Sequence, residues 1–325
     1  MKVSVLGTGA YGIAIASALA KNNHNVCMWS ENKEKINEWK KTGNLKSVME
    51  AYKFPKNITV SGDLEETIEG SEIIFLTCAS RFIWEVANNI KGFYDKKIPI
   101  CIASKGIEDN TCKLLSNVVK ETLKTNNVAV ISGPTFAIDM VNNEPVALAI
   151  ASNNAKTRNI VAEALSNDTL KLRKSKDMIG VQICGSVKNI IAIASGILGG
   201  LGYSESTQAF LINESLHDIK DLIYFLGGKP KTILSFAGVG DLLMTSMSKK
   251  SRNYSFGYVI GSTGDIEKIK EYREKNTVEG YFTTKIVLRL LNQKNINIPL
   301  ISLINDIIDG KKDPHELADF LISKK

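Results

Sequence analysis

The sequence predicts two domains: an N-terminal α/β domain built on a doubly wound, mainly parallel sheet, and an all-α C-terminal domain. Three observations lead there. Strand-like and helix-like patterns alternate through the first half of the chain, as they do in doubly wound sheets. A glycine-rich turn, Gly7-Thr8-Gly9-Ala10-Tyr11-Gly12, joins the first strand pattern to the first helix pattern. From about residue 179 the strand signals fade, and glycine-rich turns separate helix-like segments. A chain of 325 residues is long for a single core. The expected domains are 1–178, carrying the glycine-rich turn, and 179–325, helical.

The elements follow in order. The β-branched run 3–6 is a strand, 13–21 its helix and NVCMW (25–29) the second strand. The charged stretch 31–41 is an exposed helix, 58–60 a short strand, and 63–68 a short helix opened by Ser61-Gly62. The apolar runs 73–77 and 99–103 read as strands buried on both faces, because neither alternates. Helices are expected at 81–90 and 112–123, and further strands at 128–132 and 146–151. In the second domain, helices are expected at 179–198, 209–226, 233–244, 266–274, 283–291, 300–308 and 314–324. The first of these is expected to join the two domains.

Composition narrows the class. The formal net charge of +7 comes from lysines spread along the chain. That describes a solvated surface first and attraction for an anionic substrate second. No basic block interleaved with aromatics suggests nucleic-acid binding. Five cysteines, an odd number with no CxxC pair, fit buried thiols in a reducing compartment. The three histidines are scattered and make no metal-ligand spacing with the cysteines, so no metal is expected. Met1 leads straight into the first strand, so no signal peptide is expected. The longest apolar stretch, 179–201, carries Lys188 and Asn189 within it. It reads as a buried helix with two polar residues that have work to do rather than as a membrane span.

The turn at 7–12 is a GxGxxG fingerprint in its meaningful context of strand, turn and helix. Gly7 permits the turn, Gly9 lets a pyrophosphate approach the backbone, and Gly12 lets helix and strand pack closely. The helix N-terminus adds unpaired N–H groups and a partial positive charge. Such a turn points to a dinucleotide. Glu31 follows the second strand, where an acidic residue commonly binds the adenosine ribose. It would repel a 2′-phosphate and so favour NAD over NADP, while Lys33 and Lys35 nearby soften that discrimination. The plainer reading of Glu31 is a helix-start acid.

Five further constellations each admit two readings. Ser104-Lys105-Gly106 follows a strand, so Lys105 either lines the ligand crevice or is a surface lysine. In Ser132-Gly133-Pro134-Thr135-Phe136-Ala137, the Thr135 hydroxyl and nearby N–H groups cradle an anion, or the segment is an ordinary turn. Lys188, inside an apolar helix beside Asn189, is either a desolvated general base or a lysine snorkelling from a helix end. Asp241, after Gly238 and Gly240, either steadies a cation such as Lys188 or caps a helix. Ser251-Arg252-Asn253 either grips a phosphate, with Arg252 bidentate, or is a solvated basic loop.

In this order, GTGAYG, VCMW, ASKGIE, SGPTFA, CGSVKNIIAIASGILGGLG, GVGDLLMTS, KSRNYSFG and VEGYFTTK resemble the bacterial-type NAD(P)-dependent glycerol-3-phosphate dehydrogenase family. The pieces run from residue 5 to about 285, nearly the whole chain. The VKN, GVGDL and SRN pieces are specific as an ordered set. The resemblance implies a Rossmann domain followed by a helical domain. It implies a cytoplasmic homodimer that interconverts sn-glycerol 3-phosphate and dihydroxyacetone phosphate with NAD, NADP also being accepted, and that feeds phospholipid synthesis. It implies no nucleic-acid partner and no membrane insertion. Lys188 looks like the proton acceptor and a substrate contact. Lys105 resembles a contact to substrate and cofactor, Gly133 and Thr135 substrate contacts, and Ala137 a neighbour of the cofactor. Asp241, Ser251, Arg252 and Asn253 look like the polyol and phosphate site, with Arg252 also near the cofactor. Ala10 and Tyr11 resemble backbone contacts to the cofactor, and Glu279 a distal one.

The chain departs from the family pattern in three places. Ser206-Thr207-Gln208-Ala209 stands where the family usually has Asn-Ala-Arg-Ala. Gly199 replaces the customary Asp before Gly-Leu-Gly, and Glu31 occupies a position often held by arginine or histidine. Related β-hydroxyacid or ketopantoate-type dehydrogenases, and non-catalytic dinucleotide-binding proteins, share the glycine turn but need not carry the paired GVGD and SRN motifs.

Overall fold

A computed structural model describes residues 1–50 and 52–324. The chain forms two compact units, one comprising Met1–Glu108 and Lys113–Met178, the other Asp109–Cys112 together with the chain from Ile179 onward.

The first unit is built on a single eight-stranded sheet: β1 (Lys2–Leu6), β2 (Asn25–Trp29), β3 (Ile58–Ser61), β4 (Ile73–Leu76), β5 (Ile100–Ile102), β6 (Val128–Ser132), β7 (Val146–Ala151) and β8 (Leu170–Ser175). Their order is β3-β2-β1-β4-β5-β6-β7-β8. All neighbours are parallel except β6 and β7, where Ser132 lies opposite Ala149. The order reverses direction at β1 and β4, the place where doubly wound sheets bind ligands. The connecting helices are α1 (Ala10–Lys21), α2 (Lys33–Thr42), α3 (Leu64–Ile68), α4 (Ile83–Ile90), α5 (Leu115–Leu123), α6 (Ala137–Val141) and α7 (Ala155–Leu165). β4 and β5 are buried along their whole length, as their unbroken apolar runs predict, and β6 is buried along its whole length too.

Local chemistry sets the boundaries. Asn32 caps α2 by accepting from Lys35 N at 3.0 Å, and Gly43 ends that helix at φ +62°. The helix that the sequence predicts from residue 112 begins at Leu115, because Cys112 sits at φ +55°. β8, α6 and α7 do not stand out in the sequence. LKLRKS is an edge strand that alternates apolar and charged residues, so its pattern resembles a polar connection.

The second unit is helical: α8 (Met178–Gly200), α9 (Glu205–Phe225), α10 (Asp241–Ser246), α11 (Arg252–Thr263), α12 (Ile266–Lys275), α13 (Glu279–Lys294), α14 (Pro299–Ile308) and α15 (Glu316–Ser323). α8 is apolar and long enough to cross a membrane, and its most apolar stretch is entirely buried inside the protein. The single helix predicted at 233–244 is instead broken. A short turn at Pro230–Leu234 and a wide turn at Phe236–Gly240 precede α10, and Gly238 leaves helical geometry at φ −89°, ψ −111°. A side chain at Gly238 would strike the Ile233 carbonyl, so the first glycine of GVGD is a packing requirement.

α8 and α11 touch backbone to backbone. A Cβ at Gly196 would collide with the Tyr254 carbonyl, and one at Gly257 with the Ile193 carbonyl. Gly200 and Gly261 repeat this one turn further on. The crossing fixes the start of α11 against the middle of α8.

Candidate functional site

The first cluster lies at the ends of β1, β2, β4, β5 and β6. Gly7 adopts φ +132°, and a Cβ there would stand 2.8 Å from Cys78 N and from Thr77 Oγ1. The Thr77 hydroxyl donates to the Leu6 and Gly7 carbonyls at 3.2 and 3.1 Å, tying the turn to β4. A Cβ at Gly12 would run into the Gly7 carbonyl. At Gly9, nothing lies within 4 Å of where a Cβ would be. No side chain caps α1, and its first turn holds no acidic residue, so nothing on this helix offsets its partial positive end. Glycine backbone beside open space at an uncapped helix start suits a pyrophosphate.

A cleft of about 440 Å³ opens from this turn and is lined in part by Gly7, Gly9, Ser30, Glu31, Asn32 and Cys78. Glu31 therefore does border the cleft rather than only starting a helix. Thr8 Oγ1 donates to Ser30 Oγ at 2.8 Å, and Lys35 Nζ donates to the Thr8 carbonyl at 3.3 Å. Burial pulls the Lys35 pKa below its usual value, and the nearby Glu38 partly restores it. Burial pushes the Cys78 thiol up to about 12, which keeps it a neutral lining group rather than a nucleophile.

The other residues singled out in this unit converge. Lys105 Nζ donates to the Gly133 carbonyl at 3.4 Å, and Tyr11 Oη and Thr135 Oγ1 are 3.1 Å apart. Thr135 is buried, and its N–H donates to the Gly133 carbonyl at 2.9 Å. A Cβ at Gly133 would press to 2.7 Å from the Ala147 carbonyl, so the segment after β6 lies flat on β7. Ala10 and Ala137 begin α1 and α6, two helices that pack together.

The second cluster is made of side chains. Lys188, on α8, donates from Nζ to Asp241 Oδ1 at 2.6 Å and to Thr245 Oγ1 at 2.6 Å. Lys188 is 5% exposed and Asp241 fully buried, so Lys188 is no snorkelling lysine. Asp241 is the first residue of α10, whose N-cap is Gly240. Its carboxylate is spent on Lys188 and Thr245 rather than on capping. A lone charge would be costly at this depth, and the pair removes that cost.

Beside this pair, Asn253 Nδ2 donates to Asn189 Oδ1 at 3.1 Å, and Asn253 Oδ1 accepts from Gly280 N at 2.9 Å. Asn189 Nδ2 donates to Glu279 Oε2 at 3.4 Å. Glu279 thus joins the network of Asn189 and Asn253. The SRN segment is not the loop its polarity suggests: it opens α11, with Ser251 as the cap, accepting from Tyr254 N at 3.3 Å. Arg252 is the exposed first residue of that helix. A guanidinium and a helix N-terminus at one place suit a phosphate.

One partner, Thr245, is not singled out by the sequence; it lies four residues after Asp241 and so on the same helical face, which is the available signal. Asn189, marked in the sequence beside Lys188, carries the link to Asn253 and Glu279. Two of the three departures from the family pattern meet in one place: a Cβ at Gly199 would stand 2.6 Å from Tyr254 Oη and 3.4 Å from Gln208 Nε2. Gln208 also accepts from Ser195 Oγ at 3.2 Å. Among the described residues, no group of three or more His, Cys, Asp or Glu side chains is placed to hold a metal ion.

The family described as NAD-dependent glycerol-3-phosphate dehydrogenase matches in two parts, its N-terminus over residues 2–158 and its C-terminus over residues 177–319. The chain belongs to the NAD-dependent glycerol-3-phosphate dehydrogenase family. It is 37% identical, over 100% of its length and 97% of the relative's, to a glycerol-3-phosphate dehydrogenase (NAD(P)+) of Thermoanaerobacter sp. strain X514. It is 34% identical to its counterpart in Staphylococcus carnosus strain TM300, over 94% of this chain and 93% of that one. The crystal structure of glycerol-3-phosphate dehydrogenase from Coxiella burnetii matches with a TM-score of 0.93 at 32% identity, covering 99% of both chains. This is the family its motifs resemble. Its fold, a mostly parallel sheet with helices followed by a helical region, is the predicted one.

Proposed function

We propose that this chain is a cytoplasmic, homodimeric glycerol-3-phosphate dehydrogenase that uses NAD(P) and supplies sn-glycerol 3-phosphate for phospholipid synthesis. Residues 1–178 serve as the dinucleotide-binding domain and 179–325 as the substrate and catalytic domain. Within the shown family, the observation that carries the reading is the buried Lys188–Asp241 pair with Thr245 at its side. It supports the reading because an amine on a mostly apolar helix, where a lysine is otherwise costly, is buried together with its counter-charge.

When bound, the nicotinamide supplies or accepts the hydride. Gly7, Gly9, Gly12, Ala10, Tyr11, Glu31 and Ala137 hold the dinucleotide, with Lys105, Arg252 and Glu279 as further contacts. In the reductive direction, Lys188 donates a proton to the C2 carbonyl oxygen as C2 gains hydride. In oxidation, neutral Lys188 takes the C2 hydroxyl proton as C2 loses hydride. Asp241 offsets the charge on Lys188 in its protonated form, and Thr245 fixes the position of Nζ. Arg252, Ser251 and Asn253 hold the phosphate and polyol, with Lys105, Gly133 and Thr135 as further substrate contacts. Binding energy from the phosphate, remote from C2, is then available to align the reacting carbon.

The test is the loss of reduced cofactor with dihydroxyacetone phosphate, ketopantoate or buffer alone. Dihydroxyacetone phosphate alone is expected to be reduced, with a higher specificity constant for NADH than for NADPH. Glu31→Arg is expected to shift the ratio toward NADPH by about tenfold, as expected when a repelling charge becomes an attracting one. Equal use of both cofactors by the unaltered protein, or an unchanged ratio in Glu31→Arg, removes Glu31 as the ribose reader. Reduction of ketopantoate instead overturns the substrate. Sedimentation equilibrium at micromolar concentration checks the dimer.

A further inference from the structure

Glu31 is not the only charge near the ribose end of the cleft. Lys35, in the first turn of α2, turns back from its helix and donates to the Thr8 carbonyl at 3.3 Å, inside the glycine-rich turn. Thr8 donates in turn to Ser30 at 2.8 Å, and Ser30 Oγ accepts from Asn32 N at 3.3 Å. Thr8, Ser30, Asn32 and Lys35 therefore form one hydrogen-bonded set bridging the glycine turn and the end of β2, where the adenosine ribose binds in this class of sheet. Thr8, Ser30 and Asn32 line the cleft, and Lys35 joins it through the Thr8 carbonyl.

A lysine here runs against local preference. Cations are disfavoured in the first turn of a helix, where the backbone already presents positive charge. Lys35 is also half-buried, with its ammonium directed at a carbonyl rather than into solvent. The desolvation that lowers its pKa is a cost that an arriving anion would offset. The sequence groups Lys33 with Lys35 as softening the discrimination, but Lys33 is exposed while Lys35 reaches the glycine turn, so Lys33 makes a natural comparison.

We propose that Lys35 is a specificity-determining residue that gives the 2′-phosphate of NADP an ammonium partner. It opposes the repulsion from Glu31, and the enzyme accepts both dinucleotides for this reason. The proposal rests on the dinucleotide reading of the cleft and deepens it. It names the residue on which NADP use depends.

The test measures binding, apart from turnover. Calorimetric titration of the full-length protein with 2′,5′-ADP and with 5′-AMP isolates the 2′-phosphate. Lys35→Met is expected to weaken 2′,5′-ADP by about tenfold or more, the scale of one lost charge-assisted contact, and 5′-AMP by less than about twofold. Lys35→Arg is expected to restore 2′,5′-ADP binding, and Lys33→Met to leave both ligands as in the unaltered protein. Equal loss of both ligands in Lys35→Met, no loss of either, or the same loss in Lys33→Met overturns the proposal. If the nucleotide contrast is found in a protein that does not reduce dihydroxyacetone phosphate, the substrate reading fails and the role of Lys35 stands.

Discussion

The two units build their candidate sites from different materials. In the first, the decisive groups belong to the backbone: a glycine turn and an uncapped helix start. In the second, they are side chains carried by α8, α10, α11 and α13, brought together by packing. Backbone sites are written as contiguous motifs and fail when atoms are added. Side-chain sites are scattered through the sequence and fail when atoms are removed. Substitutions in the two clusters should therefore differ in kind as well as in size.

Lys188→Ala should have the largest effect. Loss of a positioned acid–base group lowers kcat by about 10²-fold or more, while dinucleotide binding by the first unit persists. Removing one member of a buried pair also costs roughly 3–5 kcal/mol of stability, so turnover is to be read on protein whose circular dichroism shows it folded. Partial recovery of turnover with added ethylamine would mark a missing proton carrier rather than a collapsed core. A variant that keeps more than about a third of normal turnover would remove Lys188 from the chemistry.

Arg252→Ala comes next. It is exposed, so folding should survive. Losing a charge-assisted phosphate contact of roughly 2 kcal/mol raises the apparent KM for dihydroxyacetone phosphate about 30-fold. Glyceraldehyde and glycerol, which carry no phosphate, should be equally poor substrates before and after the change. An equal loss toward substrates with and without phosphate would argue instead for misfolding or for a cofactor role.

Gly12→Ala probes the backbone cluster by adding one methyl group. That Cβ would meet the Gly7 carbonyl and stand 2.8 Å from Thr77 Oγ1, so the turn must shift. Overpacking of this kind costs about 1–3 kcal/mol. Urea melts should show that loss, and dinucleotide affinity should fall by about tenfold, the equivalent of 1.4 kcal/mol. Turnover at saturating cofactor should change far less than in Lys188→Ala. If instead turnover collapses with cofactor saturating, the division between backbone and side-chain sites is wrong.

The same contrast explains what the sequence discloses. The parallel strands and the glycine turn are legible because their patterns are local: unbroken apolar runs, and GxGxxG between strand and helix. Lys188 and Asp241 are each conspicuous, one for polarity inside an apolar helix and one for two preceding glycines. Their pairing spans 53 residues, however, and no local rule contains it. Ser251-Arg252-Asn253 reads as a basic loop because all three residues are polar, yet Ser251 is also a good helix cap and the 12-residue helix α11 runs from Arg252 to Thr263. The break at Gly238 is hidden for the opposite reason. The segment 233–244 keeps a helical spacing of apolar residues, and only the approach of the Ile233 carbonyl forces the chain out of register.

The close crossing of α8 and α11 also has a consequence for how the protein is made. α8 is the first helix of its unit, and its glycines face backbone that has not yet been synthesised when it leaves the ribosome. Its partners are complete only when α13 ends at Lys294. At about 5–20 residues per second, that leaves an apolar helix without its neighbours for on the order of ten seconds. Chains stalled before Arg252 should accordingly aggregate or be retained by chaperones, and chains extended past Lys294 should be released; pulse-labelled nascent chains of the two lengths would show whether they differ. The helix that carries Lys188 is thus also a segment whose burial waits for later parts of the chain to be made.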